Sequence, residues 1–485
     1  MQRKNYENEM LREKNITPKR KQKRNKEYTF VSVFFVLIFM SLIGYLIYFN
    51  IEKSEEFINS PYNTRQDTFS DRVIRGKIMS SDGQVLAETE VYDDGTEHRY
   101  YPYYNVFSHV IGYDSNGKSG LESEANFQLL TSHSFFIDQM RNEFSGKKNM
   151  GDTVISTLDA SLQSKAYYAL GDRRGAIVAL EPSTGKIRAM VSKPDFDPNT
   201  IAEQYQYLIS DSNSSNLLNR ATNGAYPPGS TFKVVTALDY YRTNGTMDGY
   251  QYLCNGSITE GTHTINCYNN TVHGAENLYQ SFAYSCNCAF ADMALRLGGK
   301  SLNNTAQSLL FNRELPLETY RSSTFGLSDS SPRPLIMQTS IGQGNTLVSP
   351  MHMALITSAI ANKGVLMKPT LIDSVQNDAG EVISTQRPEA YKRLLSAQEA
   401  SVLGEMMEGV VSYGTATSLS GLGYTVAGKT GSAEYDEEGH SHSWFIGYCN
   451  TDNPDLVVAI IVEGGGTGSE AAVPIAQEIF DEFYY

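Results

Sequence analysis

From Thr29 to Phe49 the chain runs 21 residues without a charge, dominated by Phe, Val, Leu and Ile. At a rise of about 1.5 Å per residue, a helix of that length spans the ~30 Å hydrocarbon core of a bilayer. Lys19, Arg20, Lys21, Lys23, Arg24 and Lys26 lie just before it. The positive-inside rule then makes residues 1–28 a cytoplasmic basic tail and residues 29–49 a single-pass transmembrane anchor, with everything after residue 50 outside. A cleaved signal peptide is the competing reading, but the run is too long and no small-x-small site follows Phe49. No second apolar run of comparable length occurs, so the remainder reads as one extracytoplasmic body.

Residues 1–27 hold ten Lys or Arg against four Glu, whereas the whole chain carries −14, so the body beyond the anchor is strongly acidic. Such a surface repels phosphate backbones, and no nucleic acid partner is expected. A hydrophobic content of 40% supplies an ordinary globular core for two or three domains. Outside the cytoplasm a disulfide is permitted, and Cys254 with Cys267 could close a short loop, a pairing left open here. Cys286 and Cys288 read as small buried residues rather than metal ligands, and neither a metal nor a cofactor is expected.

Residues 50 to about 70 are polar and read as a stalk. Asp82-Gly83 between two apolar runs predicts a hairpin, and Gly120-Leu121-Glu122 opens a helical stretch reaching about Phe136. Residues 50–150 carry no evident chemistry and suit an N-terminal support domain. A second domain, 151–485, begins near Gly151. Thr157-Leu158-Asp159 caps a helix over 160–170, and residues 175–191 form a hairpin about the turn Pro182–Gly185. Ser340-Ile-Gly-Gln-Gly-Asn345 lacks the Gly-Lys-Ser/Thr of a phosphate cradle and reads as a tight packing loop before a helix over 351–361. Three antiparallel strands over 424–434, 443–448 and 456–463 and a closing helix over 470–483 complete an antiparallel sheet flanked by helices. The fold class is α+β, membrane-anchored.

Three short motifs carry the chemistry. Pro227-Pro228-Gly229 leads into Ser230-x-x-Lys233, which places a hydroxyl and an amine one helical turn apart on one face. A serine needs a base to become a nucleophile, and a lysine can be that base once burial lowers its pKa. Ser-x-x-Lys also occurs at Ser115/Lys118, in a loop, and at Ser183/Lys186, across a turn, so a capping serine with a solvated lysine is the default reading of any one match. Ser285-x-Asn287 at the mouth of a helix is equally cheap, recurring at Ser214/Asn216 and Ser301/Asn303. Lys429-Thr430-Gly431 on a strand completes an ordered triple far more specific than its parts.

With these motifs the chain resembles the penicillin-binding protein and serine β-lactamase superfamily, whose motifs are Ser-x-x-Lys, Ser-x-Asn and Lys-Thr/Ser-Gly. The anchor, Arg75-Gly76, Gly175–Ala189, Tyr226–Lys233, Gly342-Gln343-Gly344 and Ala427–Ala433 look like the monofunctional class B members, the peptidoglycan D,D-transpeptidases. No glycosyltransferase segment is seen ahead of this region, which disfavours the bifunctional class A arrangement. The resemblance implies that Ser230 attacks a D-alanyl-D-alanine stem peptide, that Lys233 takes its proton, and that Ser285 and Lys429 relay a proton to the leaving D-alanine. It further implies that Asn287 holds the substrate amide, that Thr430, with Lys429 supplying charge, binds the terminal carboxylate, that Gly431 and Ser432 are substrate-binding residues, and that the N–H groups of Ser230 and Ser432 stabilise the oxyanion. Implied partners are peptidoglycan stem peptides, β-lactam antibiotics, the cell membrane and a glycosyltransferase. The departures, Cys286 in the middle motif and Ser432 in place of a threonine, remove no required group.

Hydrolytic alternatives, a D,D-carboxypeptidase or an anchored β-lactamase, use the same motifs with water as acceptor, although no convincing deacylating Glu-x-x-x-Asn loop is found. A non-catalytic β-lactam sensor or wall-synthesis scaffold is the alternative of a different class.

Overall fold

The computed structural model describes residues 18–49, 72–435 and 438–485. The tail before residue 18 and the stalk assigned to residues 50–70 lie outside them. The chain divides into two units, residues 1–64 and 65–485. In the first, α1 (Pro18–Tyr48) is one continuous helix, and its Lys26–Tyr48 segment is long and apolar enough to cross a membrane. The helix starts well before Thr29 because Lys, Arg and Gln are good helix formers and extend it through the basic cluster.

In the second unit, β1 (Ile78–Met79) and β2 (Val85–Val91) form the expected hairpin, with Gly83 at φ +84° in the turn, and β2 pairs with β3 (Glu97–Tyr100). The stretch expected to be helical to about Phe136 is instead broken into α2 (Gly120–Glu124) and α3 (Asn126–Leu129), with α4 (Phe136–Phe144) after a gap. The break has a polar cause. Glu122 is fully buried between Arg75 (2.6 Å) and Arg99 (2.7 Å), and Arg75 also donates to Asn126. Downstream, the Leu129 and Thr131 carbonyls accept from Gly76 and Asp152 at 2.8 Å, so they are committed to strand-like pairing and not to a helix. Glu122→Ala leaves two buried guanidinium groups without their carboxylate, and a stability loss of about 3–5 kcal/mol is expected in thermal or urea unfolding.

β4 (Thr153–Ser156) runs parallel to β1 and antiparallel to a strand from much later in the chain, so one six-stranded sheet takes strands from both sides of residue 150. Asp159 caps α5 (Ala160–Leu170) as expected, accepting from Leu162 N at 3.0 Å. β5 (Gly175–Leu180) and β6 (Ile187–Lys193) form the predicted hairpin. Then come α6 (Lys233–Asn244) and an insertion of four short strands: β7 (Gln251–Cys254), β8 (Ser257–Glu260), β9 (His263–Asn266) and β10 (Gly274–Asn277). Next are α7 (Asn287–Leu297), α8 (Pro350–Ala361), β11 (Ile372–Gln376), β12 (Val382–Thr385) and α9 (Ala397–Ser412). β11 is the late partner of β4.

The final strands β13 (Val426–Glu434), β14 (Ser441–Cys449) and β15 (Val457–Val462) join the early hairpin in a fully antiparallel sheet of order β13-β14-β15-β5-β6. β5 and β15 are buried along their whole length because both faces are covered. α8, buried at every residue, packs on β15, β5 and β14. On the other side α5 packs against the closing helix α10 (Val473–Tyr484). Continuous Val, Ile and Ala runs are the sequence form of such two-sided burial. All five cysteines are buried free thiols, and the Cys254 and Cys267 sulfurs lie 3.7 Å apart.

Candidate active site

Pro228 leads into a 3-10 turn, Gly229–Phe232, that runs on into α6. Ser230 therefore sits on the tighter turn and Lys233 is the first α-helical residue, where an α-helical first turn was expected to hold both. The pairing survives because residues i and i+3 eclipse in a 3-10 helix. Tertiary contact selects the turn. Gly229, at φ +53°, donates its N–H to Gly342 O (3.0 Å), and a Cβ there would meet Ser432 O at 2.5 Å. The Gly342-Gln343-Gly344 loop is thus the packing loop expected, seated against the 3-10 turn. Trp444 on β14 donates to Pro227 O (3.1 Å) and pins the turn to the sheet.

Lys233 is fully buried, and its Nζ donates to Ser285 O (2.6 Å), Asn287 Oδ1 (2.7 Å) and Ser285 Oγ (3.1 Å). Three acceptors use all three protons of an ammonium group. Ser285, at φ +60° just before α7, is held in the left-handed region that turns both its oxygens toward that amine. Lys429, on β13 and also fully buried, donates to Ser285 Oγ (3.0 Å) and Thr430 O (3.0 Å). Ser285 Oγ thereby joins the two lysines. Thr430 Oγ1 meets Thr415 Oγ1 at 2.5 Å, and Ser432 Oγ accepts from Gly468 N at 3.4 Å. Gly431 is needed for close packing, since a Cβ there would meet Thr231 Cγ2 at 3.0 Å and Trp444 Cβ at 3.1 Å. Ser230 is half-buried, and its hydroxyl makes no hydrogen bond among the described residues.

Burial pushes the Lys233 ammonium down to about 8. Burial, and then the charge of Lys233, hold Lys429 well below the ordinary lysine range. Two buried amines on one hydroxyl cannot both stay charged cheaply, so a neutral amine is available near neutral pH. Where acylation needs neutral Lys233, its rate should rise roughly tenfold from pH 6 to pH 7 and level off above about 8. Stopped-flow acylation by a reporter β-lactam across that range checks it, and a flat profile would remove Lys233 as the base.

The structure brings together Ser230, Lys233, Ser285, Asn287, Lys429, Thr430, Gly431 and Ser432 where α6, α7 and β13 meet. The decoy motifs stay apart. Lys118 sits in a turn with its N–H on Ser115 O, Lys186 pairs with Asp373, and Ser301 bonds Asp239. Thr415 escaped sequence reasoning because no motif surrounds it. So did Glu463, which accepts from Arg220 and Tyr226 at 2.7 Å and from Arg174 at 2.9 Å, bracing the approach to Pro227. A lone glutamate ending an apolar strand was its only signal.

Residues 175–481 match the penicillin binding protein transpeptidase domain, and residues 75–154 match the penicillin binding protein A dimerisation domain. The peptidoglycan D,D-transpeptidase PbpA of Mycolicibacterium smegmatis is 32% identical over 454 residues, 85% of this chain and 91% of that protein. Its Mycobacterium tuberculosis counterpart is 30% identical over 86% of this chain and 92% of its own length. The ceftriaxone acyl-enzyme structure of M. tuberculosis penicillin-binding protein A superposes with a TM-score of 0.78 at 29% identity, covering 87% of this chain and all of that one. A Ser-x-x-Lys turn, a Ser-x-Asn helix mouth and a Lys-Thr-Gly strand gathered around two buried amines, on a chain matched over most of its length, place it in the penicillin-binding protein transpeptidase family.

Proposed function

We propose that the chain is a peptidoglycan D,D-transpeptidase that cross-links stem peptides through a Ser230 acyl-enzyme. The observation that carries this reading is Ser285 Oγ, hydrogen-bonded to both Lys233 and Lys429 beside the Ser230 turn. Ser230 Oγ attacks the carbonyl between the two D-alanines while neutral Lys233 takes its proton. The oxyanion is held by the N–H groups of Ser230 and Ser432. β13 is an edge strand, so a substrate backbone can lie alongside it with its terminal carboxylate at Thr430. That carboxylate offsets the cost of charging Lys429. Ser285 passes a proton to the departing D-alanine nitrogen, Asn287 holds the peptide amide, and an amine from a neighbouring stem peptide takes the acyl group. A β-lactam acylates the same serine, but its amine stays tethered in the adduct.

Residues 50–150 act as the support, residues 29–49 anchor the chain, and the basic cluster before the anchor orients its N-terminus to the cytoplasm. A glycosyltransferase making the glycan strands is the natural neighbour. Pentapeptide-bearing glycan incubated with a labelled D-amino acid separates the readings. A transpeptidase incorporates the label and forms dimeric muropeptides. Release of free D-alanine with neither product would mean water is the acceptor and the enzyme a carboxypeptidase.

A further inference from the structure

α4 (Phe136–Phe144) is amphipathic the wrong way round for a helix of a soluble domain. Phe136, Met140 and Phe144 follow at i, i+4 and i+8 with Ile137 beside them, an apolar arc of about 100°. That arc faces solvent. With Phe135 just before the helix, these side chains are 40–85% exposed, and no residue of α4 is buried. The polar side is the one turned to the domain: Gln139 Nε2 donates to Ser134 O (3.0 Å) and Ser132 O (3.2 Å), and Asn142 Nδ2 donates to Asn149 Oδ1 (3.0 Å). Elsewhere in the described second unit no ten-residue stretch exposes more than three large apolar side chains, whereas five fall between Phe135 and Phe144. Soluble surfaces scatter such residues singly, and a cluster of this kind marks a face that something apolar covers.

We propose that α4 is a second membrane contact, seated at the head-group and upper acyl level of the bilayer that holds α1, which rests on α1 spanning that bilayer. Chain connectivity selects lipid as the occupant. The described body starts at Arg72, whose carbonyl accepts from Asn149 N (3.1 Å), and the Val73–Ile74 strand pairs in parallel with Asn149–Met150. Asn149 in turn accepts from Asn142 of α4, so two hydrogen bonds connect the point where the chain enters the body to the exposed helix. Only residues 50–71 separate Arg72 from the end of the apolar run at Phe49, and they reach at most about 80 Å even fully extended. The apolar face is therefore presented where the body is joined covalently to a bilayer, and its encounter with lipid is intramolecular.

The chemistry of the segment suits that interface. Three phenylalanines, an isoleucine and a methionine enter the acyl boundary, while the charged side chains stay with the head groups. Arg141 pairs with Asp138 (3.2 Å) and Lys148 with Glu97 (2.7 Å), so the attraction is apolar first and electrostatic second. Arg141, Lys147 and Lys148 balance the local carboxylates Asp138, Glu143 and Glu97, which leaves this patch near neutral on a body that is otherwise strongly acidic. Anionic head groups therefore do not repel it. A helix of nine residues is too short to hold a soluble chain on a membrane by itself, and it acts because α1 already supplies the first attachment. A single span fixes where the chain is attached; a second contact fixes which end of the body faces the lipid.

Full-length Phe144→Trp protein in lipid nanodiscs at one chain per disc tests the contact. Trp444, the one native tryptophan, is fully buried and supplies a constant background. Phospholipids brominated on the upper acyl chain should quench about half of the emission that the introduced tryptophan adds, because an interfacial helix buries its apolar face at that depth. Adding Phe136→Ser and Ile137→Ser should abolish the quenching and leave penicillin acylation at the wild-type rate, since neither side chain packs in the body. A chain that elutes apart from the discs means that α1 does not span the bilayer. A chain that elutes with them while the introduced tryptophan stays unquenched means that α4 does not touch lipid. Either result overturns the proposal, and elution tells them apart. An introduced tryptophan that is unquenched at one chain per disc, but whose emission shifts at two, assigns the face to a second copy and overturns it equally.

Discussion

Ser230→Ala protein should take up no covalent penicillin, and intact-mass spectrometry should show the unmodified chain after an incubation that adds one ligand to wild type. On the proposed mechanism acylation should fall roughly 10⁴-fold or more, because the variant lacks the oxygen that forms the acyl bond. The loss is chemical and not structural. Ser230 Oγ makes no hydrogen bond among the described residues, and the 3-10 turn is set by Gly229, Gly342 and Trp444. Thermal stability should therefore change by no more than about 0.5 kcal/mol. A penicillin adduct that persists on Ser230→Ala, or retained cross-linking, would sink the assignment of the nucleophile.

Lys233→Met keeps the length of the side chain and removes the amine. Penicillin acylation should fall by roughly 10²–10⁴, the usual worth of a positioned general base. Here stability falls as well. Ser285 O and Asn287 Oδ1 lose the donor they meet at 2.6 and 2.7 Å, and each buried acceptor left unpaired costs about 1–3 kcal/mol. The residual rate should also lose its dependence on pH around 8. Joint loss of rate, stability and pH dependence distinguishes this variant from Ser230→Ala, and acylation within tenfold of wild type would mean that another group takes the proton.

Much of this fold was legible because its signals are local. Asp159 capping α5, Asp82-Gly83 turning β1 into β2, and the apolar runs of β5 and β15 each express a propensity or a burial pattern readable over a few residues. The expectations that shifted did so through distant partners. The helix over 120–136 broke where backbone carbonyls are taken by distant donors, Glu122 O by Arg75, Leu129 O by Gly76 N and Thr131 O by Asp152 N. Ser230 moved from an α- to a 3-10 turn because the 229 backbone is bonded to residue 342. Thr415, a neighbour of Thr430, had no local pattern to announce it.

The sequence alone determined an N-terminal helix long and apolar enough to cross a membrane, the order of the three motifs, and which functional groups the chain owns, because hydropathy, spacing and residue chemistry are properties of neighbours along the chain. Tertiary structure alone decided what those groups can do. Lys233, Ser285 and Lys429 are separated by 52 and 144 residues, and only the docking of α6, α7 and β13 brings both amines to the Ser285 hydroxyl. An exposed lysine stays protonated at neutral pH, and it is the removal of water around Lys233 and Lys429 that lowers their affinity for protons. The cysteines behave alike: Cys254, Cys267 and Cys286 are scattered in sequence, and they become neighbours only in the folded chain, where the Cys267 sulfur lies 3.7 Å from each of the other two.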